Sequence, residues 1–267
     1  MEKSFLEITS TKNPHFQAAR ALASTKGRRE QQAFLCEGEH LVEEAVALCP
    51  QKVRSVFVCH TKAEEYHHIL SALPQAGVSC YKIPERLFSS LSQVKAPQGI
   101  AAVVALPQID DVAQLCQSDN PVVLLEHVQD PGNVGTILRT IDAAGFGGCI
   151  LAGNTVDPFS PKALRATMGS IFRVPLAIAQ DGAAAAEGLK ACGYAVVAAV
   201  LGGAPFYERK ALGNKVCVAI GNEGAGLSPH MVAAATHHYQ LPMQGGAESL
   251  NAAVAAAVMM YDMLYRC

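Results

Sequence analysis

Apolar residues recur at helical spacing from Pro14 to Ala23 and again from Glu39 to Leu48. The stretch Val53-Arg54-Ser55-Val56-Phe57-Val58 predicts a strand, Lys62 to Leu73 a helix, and the apolar run Gly99 to Leu106 a buried strand. Beyond Pro121 the pattern becomes more regular. Short apolar runs at Pro121–Glu126, Gly148–Leu151, Tyr194–Val200, Val216–Ile220 and His238–Leu241 predict strands. Helices are predicted between them at 134–145, 161–170, 182–191 and 227–235, and a last one covers 249–265.

Apolar strands that alternate with helices imply a parallel sheet covered on both faces. The reading is therefore α/β, with a small α/β domain over 1–106, a linker over 107–120 and a parallel-sheet domain over 121–267. The boundary rests on Leu106-Pro107-Gln108-Ile109-Asp110-Asp111, which follows one apolar run and precedes another. In such sheets ligands sit beyond the carboxyl ends of the strands, so the loops that follow strands are the place to look for chemistry.

Three of those loops stand out. Gln129 to Thr140 reads QDPGNVGTILRT and follows the strand ending at Glu126. Asp130 is placed to cap a helix, with Pro131 at its first position. Ile220 to Leu227 reads IGNEGAGL, with glycines spaced G-x-x-G-x-G. That spacing fits neither the dinucleotide fingerprint nor the P-loop. Leu241 to Asn251 reads LPMQGGAESLN and leads into the last helix, with Ser249 as its expected N-cap. The helix after it is apolar on every side, so it must be buried.

Composition narrows the field. Half of the 267 residues are hydrophobic and 16% are charged, which is the balance of a folded chain. No run reaches the length of a membrane span, and Met1 to Glu7 shows no apolar signal core, so a cytoplasmic location is expected. Nine cysteines, Cys36 to Cys267, are scattered without a C-x-x-C pair, so neither a disulfide framework nor a zinc site is expected. The net charge of −2 does not announce a nucleic-acid binder, and any phosphate-binding surface must be a local patch. The best basic cluster is Lys26, Arg28 and Arg29, with Lys162 and Arg165 near the expected cleft. His127 reads as structural, and neither His67-His68 nor His237-His238 has metal-ligand spacing.

Taken together, the three loops resemble the three motifs of the SpoU/TrmH-type RNA methyltransferases of the SPOUT superfamily, in order and each ending a strand. Ser160 to Arg173 resembles that family's stretch between motifs. The first domain resembles the family's substrate-binding domain, itself similar to ribosomal protein L30e, through Ile8-Thr9-Ser10, Asn13-Pro14, Gly27-Arg28-Arg29 and Phe34 to His40. The resemblance implies a deep trefoil knot at the C-terminus, a homodimer, S-adenosylmethionine (SAM) as cofactor and no metal. It implies methylation of a ribose 2′-hydroxyl in structured RNA, with ribosomal RNA ahead of transfer RNA. Ala252 departs from the family's usual valine, which bears on packing rather than chemistry.

By the same resemblance Arg139, Asn133, Glu223, Ser249 and Asn251 are the catalytic positions. A guanidinium stays protonated, so Arg139 suits a phosphate or a developing oxyanion better than base catalysis. Glu223 is expected to position Arg139 or a substrate hydroxyl. The cofactor would be held by Ile220 and Gly221 in the second motif and by Leu241, Met243 and Leu250 in the third, with Leu201 and Gly202 on the adenine side. Two rival classes are a non-catalytic RNA-binding protein of this fold and a nucleotide-dependent oxidoreductase. The glycine spacing counts against the second.

Overall fold

The computed structural model describes residues 5–73 and 77–265. Cys267 and residues 1–4 lie outside them. The chain forms two compact units, Met1–Pro107 with Phe159–Phe172, and Gln108–Pro158 with Arg173–Cys267.

The first unit is built on a five-stranded sheet of order β1-β4-β3-β5-β2, comprising β1 (Leu6–Glu7), β2 (Ala33–Glu37), β3 (Val53–Cys59), β4 (Ser79–Ile83) and β5 (Ile100–Ala105). β5 runs antiparallel to both β2 and β3. Five helices, α1 (Pro14–Ala21), α2 (Thr25–Gln31), α3 (Glu39–Leu48), α4 (His67–Leu70) and α5 (Glu85–Leu91), come from its own stretch of chain. Phe16, Phe57, Ile83 and Phe88 close one face of the sheet. Asn13 caps α1, its Oδ1 accepting from the N–H groups of His15 and Phe16. The helix expected over 62–73 shrinks to His67–Leu70. Tyr66 turns inward instead, and its hydroxyl donates to the Gln98 carbonyl at 2.8 Å. The four-residue apolar run that begins β2 was too short for periodicity to separate strand from helix.

The second unit carries a six-stranded, all-parallel sheet of order β11-β9-β10-β6-β7-β8. Its strands are β6 (Val122–Glu126), β7 (Gly148–Ala152), β8 (Leu176–Ala179), β9 (Ala195–Pro205), β10 (Val216–Ile220) and β11 (His237–Gln240). Every residue of β6, β7 and β10 is buried, as a sheet covered on both faces requires. The helices after α5 are α6 (Val112–Leu115), α7 (Pro131–Ala144), α8 (Pro161–Thr167), α9 (Gly182–Ala191), α10 (Pro229–Ala234) and α11 (Ala252–Tyr265).

Two boundaries differ from expectation. Residues 107–120 are not a free linker. The Asp110 N–H donates to the Leu176 carbonyl at 2.9 Å, Asp111 and Gln114 form a capping box on α6, and Leu115 is buried against the sheet. Residues 159–172, with α8, belong to the first unit, where Phe159 and Phe172 flank Phe34. Three aromatic side chains in contact decide that placement, and local periodicity carries no trace of it.

Candidate active site

The three loops converge beyond the carboxyl ends of β6, β10 and β11. After β6 the chain turns sharply at His127, whose φ is 57°. The turn is pinned from three sides. The His127 ring accepts from the Asn154 N–H, its carbonyl accepts from Asn222 Nδ2, and Gly153 leaves room for the ring. A Cβ at Gly153 would lie 2.4 Å from it. Asp130 then caps α7, its Oδ1 accepting from the N–H groups of Gly132 and Asn133.

The second loop folds on itself. Asn222 and Gly226 exchange backbone hydrogen bonds, and Asn222 Oδ1 accepts from the N–H groups of Gly224 and Ala225. A Cβ at Gly221 would lie 2.2 Å from the backbone of Gly226 and Leu227, so only glycine fits that crossing. The loop's far end is fixed by Glu126, 2% exposed, whose carboxylate accepts from both the N–H and the hydroxyl of Ser228.

One chain of hydrogen bonds joins the three loops. Glu223 Oε2 accepts from the Gln129 N–H at 3.1 Å. Its Oε1 accepts from the Asp130 N–H at 3.0 Å and from Asn133 Nδ2 at 2.9 Å. Asn133 Oδ1 in turn accepts from Asn251 Nδ2 at 2.9 Å. Asn251 Oδ1 accepts from the N–H groups of Ala253 and Val254. Partial burial pushes the Glu223 carboxyl up, and the hydrogen bonds from Asn133, Asp130 and Gln129 outweigh it, so the group is held below its ordinary value. Asn251, not Ser249, therefore caps α11. The helix begins at Ala252, and Asn251 Oδ1 takes the N–H groups of Ala253 and Val254.

Beside this chain lies a cavity of 350 Å³. Apolar side chains and loop backbone form most of its wall. One side is built by an irregularity in β9. Ala198 pairs with His238, but the next pair is Ala204 with Tyr239, so residues 199–203 bow out of the ladder.

The profile of the SpoU rRNA Methylase family matches residues 120–261, and that of the MRM3-like substrate binding domain matches residues 13–102. The chain belongs to the SpoU rRNA methylase family. A Bacillus subtilis relative, the 23S rRNA (guanosine(2553)-2'-O)-methyltransferase RlmP, is 36% identical over 96% of this chain and 98% of its own. Among solved structures, the AdoMet-bound rRNA methyltransferase of Sinorhizobium meliloti is 32% identical with a TM-score of 0.85, covering 97% of both chains. The SpoU methyltransferase AviRb of Streptomyces viridochromogenes, in complex with the cofactor AdoMet, is 27% identical with a TM-score of 0.81, over 95% of this chain and 98% of that one.

In this SpoU chain the sequence-predicted residues fall into three groups. Leu201, Ile220, Gly221, Leu241, Met243 and Leu250 line the cavity, as do Glu223 and Ser249. Gly202 does not line it; its N–H donates to Gln240 Oε1 at 2.7 Å and braces the bowed segment. Arg139 sits on an exposed face of α7 and is not among the lining residues. Glu223, expected to position Arg139 or a substrate hydroxyl, spends its oxygens on the start of α7. Its charge sits at the positive end of the α7 dipole.

The basic candidates all lie in the first unit. Lys26 and Arg29 are exposed on α2, with Lys26 3.7 Å from Glu30, and Lys162 is exposed on α8. Arg28 must be withdrawn from the RNA-facing set. It is 3% exposed, and its guanidinium donates to the carbonyls of Leu22 and Ala23 and to the Thr25 hydroxyl. Arg165 is half-buried. Sequence reasoning missed Ala199, Val200, Tyr239, Gln240 and Met259 of the cavity wall. The adjacent Gly202 and Gly203 inside a strand pattern were the available signal, since glycine there marks a bulge or a close approach.

Proposed function

We propose that this chain transfers a methyl group from SAM to a ribose 2′-hydroxyl of ribosomal RNA. The observation that carries the reading is the Glu223–Asn133–Asn251 chain, which locks three strand-end loops around one cavity. The relatives named above support it by what they act on and bind.

The residues present fit the cofactor. The Gly221 crossing brings two stretches of backbone together at the cavity wall, where their N–H and C=O groups suit a polar ring edge. Leu201, Ile220, Leu241 and Leu250 offer apolar faces of the kind that suit an adenine. When bound, SAM supplies a methyl group on a positively charged sulfonium. The chain's own task is alignment and the handling of one proton. Arg139 is assigned to the substrate side, holding the RNA phosphate and the oxyanion that develops on the ribose. Asn133 and Asn251 orient the loops, and Ser249 faces the cavity as a hydroxyl partner.

The reading extends to the trefoil threading of the C-terminus, to a homodimer and to the cytoplasm. Support for the threading is α11 packed on both α7 and β10 and tied to α7 through Asn251. Support for the dimer is the row of exposed apolar side chains Leu250, Val254, Tyr261 and Tyr265, a surface that water disfavours. Sedimentation of the purified protein tests it, and a monomer at micromolar concentration refutes it.

The function is tested with ribosomal RNA from cells lacking the gene and SAM labelled in its methyl group. Methylation of a ribose protects the neighbouring phosphodiester from alkali, so the product should show one new alkali-resistant position. Label on a base, or incorporation into transfer RNA alone, refutes the proposal.

A further inference from the structure

The first unit holds a second cavity, of 360 Å³, that no part of the methyl-transfer site uses. It is bounded by the turn between β2 and α3, by the segment before β5 and by the end of α8. Its walls combine two chemistries. Leu41, Val94, Ala96 and Met168 give apolar faces. Arg165, Gln98 and Glu37 give polar groups, and Arg165 Nη1 is buried without a hydrogen-bond partner among the described residues.

The turn that carries Met168 is held in place. Met168 has φ 48° yet is not glycine, and its carbonyl lies 3.1 Å from His40 Nε2. This left-handed conformation ends α8, and the Met168 N–H donates to the Arg165 carbonyl. Glu37 is fixed too, accepting from the Ser92 hydroxyl and the Gln93 N–H. A carboxylate on the wall disfavours a phosphate and leaves a ring that offers both acceptors and donors.

We propose that this cavity takes one unpaired nucleobase of the RNA, stacked against Met168 and Leu41 and met at its edge by Arg165 and Gln98. It rests on the RNA reading above. Its size suits a single base, and unstacked bases splayed into pockets are the usual route to sequence-specific RNA recognition.

Short single-stranded RNAs carrying one 4-thiouridine or 6-thioguanosine, irradiated with the full-length protein, test it. Adducts are expected on peptides containing residues 94–98 or 165–168. Arg165→Met and Gln98→Leu should each weaken binding of these RNAs about fivefold or more, with SAM affinity in the second unit kept as the check of folding. Should Arg165→Met not fold, Ala96→Leu, at an exposed position, narrows the cavity and must give the same loss. Adducts confined to other peptides, or losses below that factor, overturn the proposal. So does inorganic phosphate competing as well as a nucleoside monophosphate, since the occupant is then backbone. RNA that crosslinks here without ribose methylation would sink the proposed function and leave the pocket standing. Methylation with adducts elsewhere would do the reverse.

Discussion

Replacing Asn133 by aspartate changes one NH₂ to an oxygen, and its consequences can be worked from two distances. Asn133 is 9% exposed and donates to Glu223 at 2.9 Å while accepting from Asn251 at 2.9 Å. Asn133→Ala loses both bonds and a little packing, about 2–3 kcal/mol in all. Asn133→Asp keeps the Asn251 bond but sets a second carboxylate against Glu223. At that separation, with an effective dielectric near 20, the repulsion is about 6 kcal/mol. Taking up a proton near pH 7.5 limits it to about 5 kcal/mol. The exposed side of Glu223 screens part of this, leaving the aspartate variant about 2 kcal/mol less stable than the alanine variant near pH 7.5. For a chain of this size that is a melting temperature lower by about 4–8 °C. The sign then reverses with acid. The paired carboxyls titrate above their unfolded values, so the penalty is present above the folded pKa and is relieved as the pH falls through it. Near pH 5 the shared proton restores an O–H···O bond, and the aspartate variant should match or exceed the alanine one. Calorimetry of both variants across this range checks it. Equal melting temperatures near pH 7.5, or a gap that does not close in acid, would refute the network as the tie between the loops.

Three further outcomes follow from the same site. Arg139→Ala should abolish methyl transfer while SAM affinity, by titration calorimetry, stays within about tenfold, and equal loss of both would contradict its place on the substrate side. Gly221→Ala puts a methyl group into backbone 2.2 Å away, so SAM binding should fall by about a hundredfold or more, and wild-type affinity would show that the crossing is not needed. The Glu223 carboxyl is held below its ordinary value, so the stability it adds is present above about pH 4.3 and lost as the pH falls through the folded value. The wild type should therefore exceed Glu223→Gln by under about 1 kcal/mol near neutrality, a gap that narrows near pH 3 and would refute the assignment if it widened.

Much of the second unit could be read from local pattern. Strands such as Val216–Ile220, buried on both faces, must be continuously apolar, and their ends announce themselves by glycine, proline and capping residues. The loops at those ends were recognisable because a tight turn, a helix cap and a backbone crossing each demand particular residue types within a few positions. Long-range contacts escaped this reading. Arg28 looked like a surface cation until five residues of intervening chain folded back to place the Leu22 carbonyl against it. Ser249 looked like a cap until the helix started at Ala252, with Asn251 drawn in by Asn133. Residues 159–172 joined the first unit because Phe34 offered an aromatic partner far off in sequence. Residues 199–203 bowed out because β11 resumed pairing at Ala204. In each case the choice lay between two conformations that the local chain permits almost equally. The deciding energy came from a partner brought near only when the chain was folded.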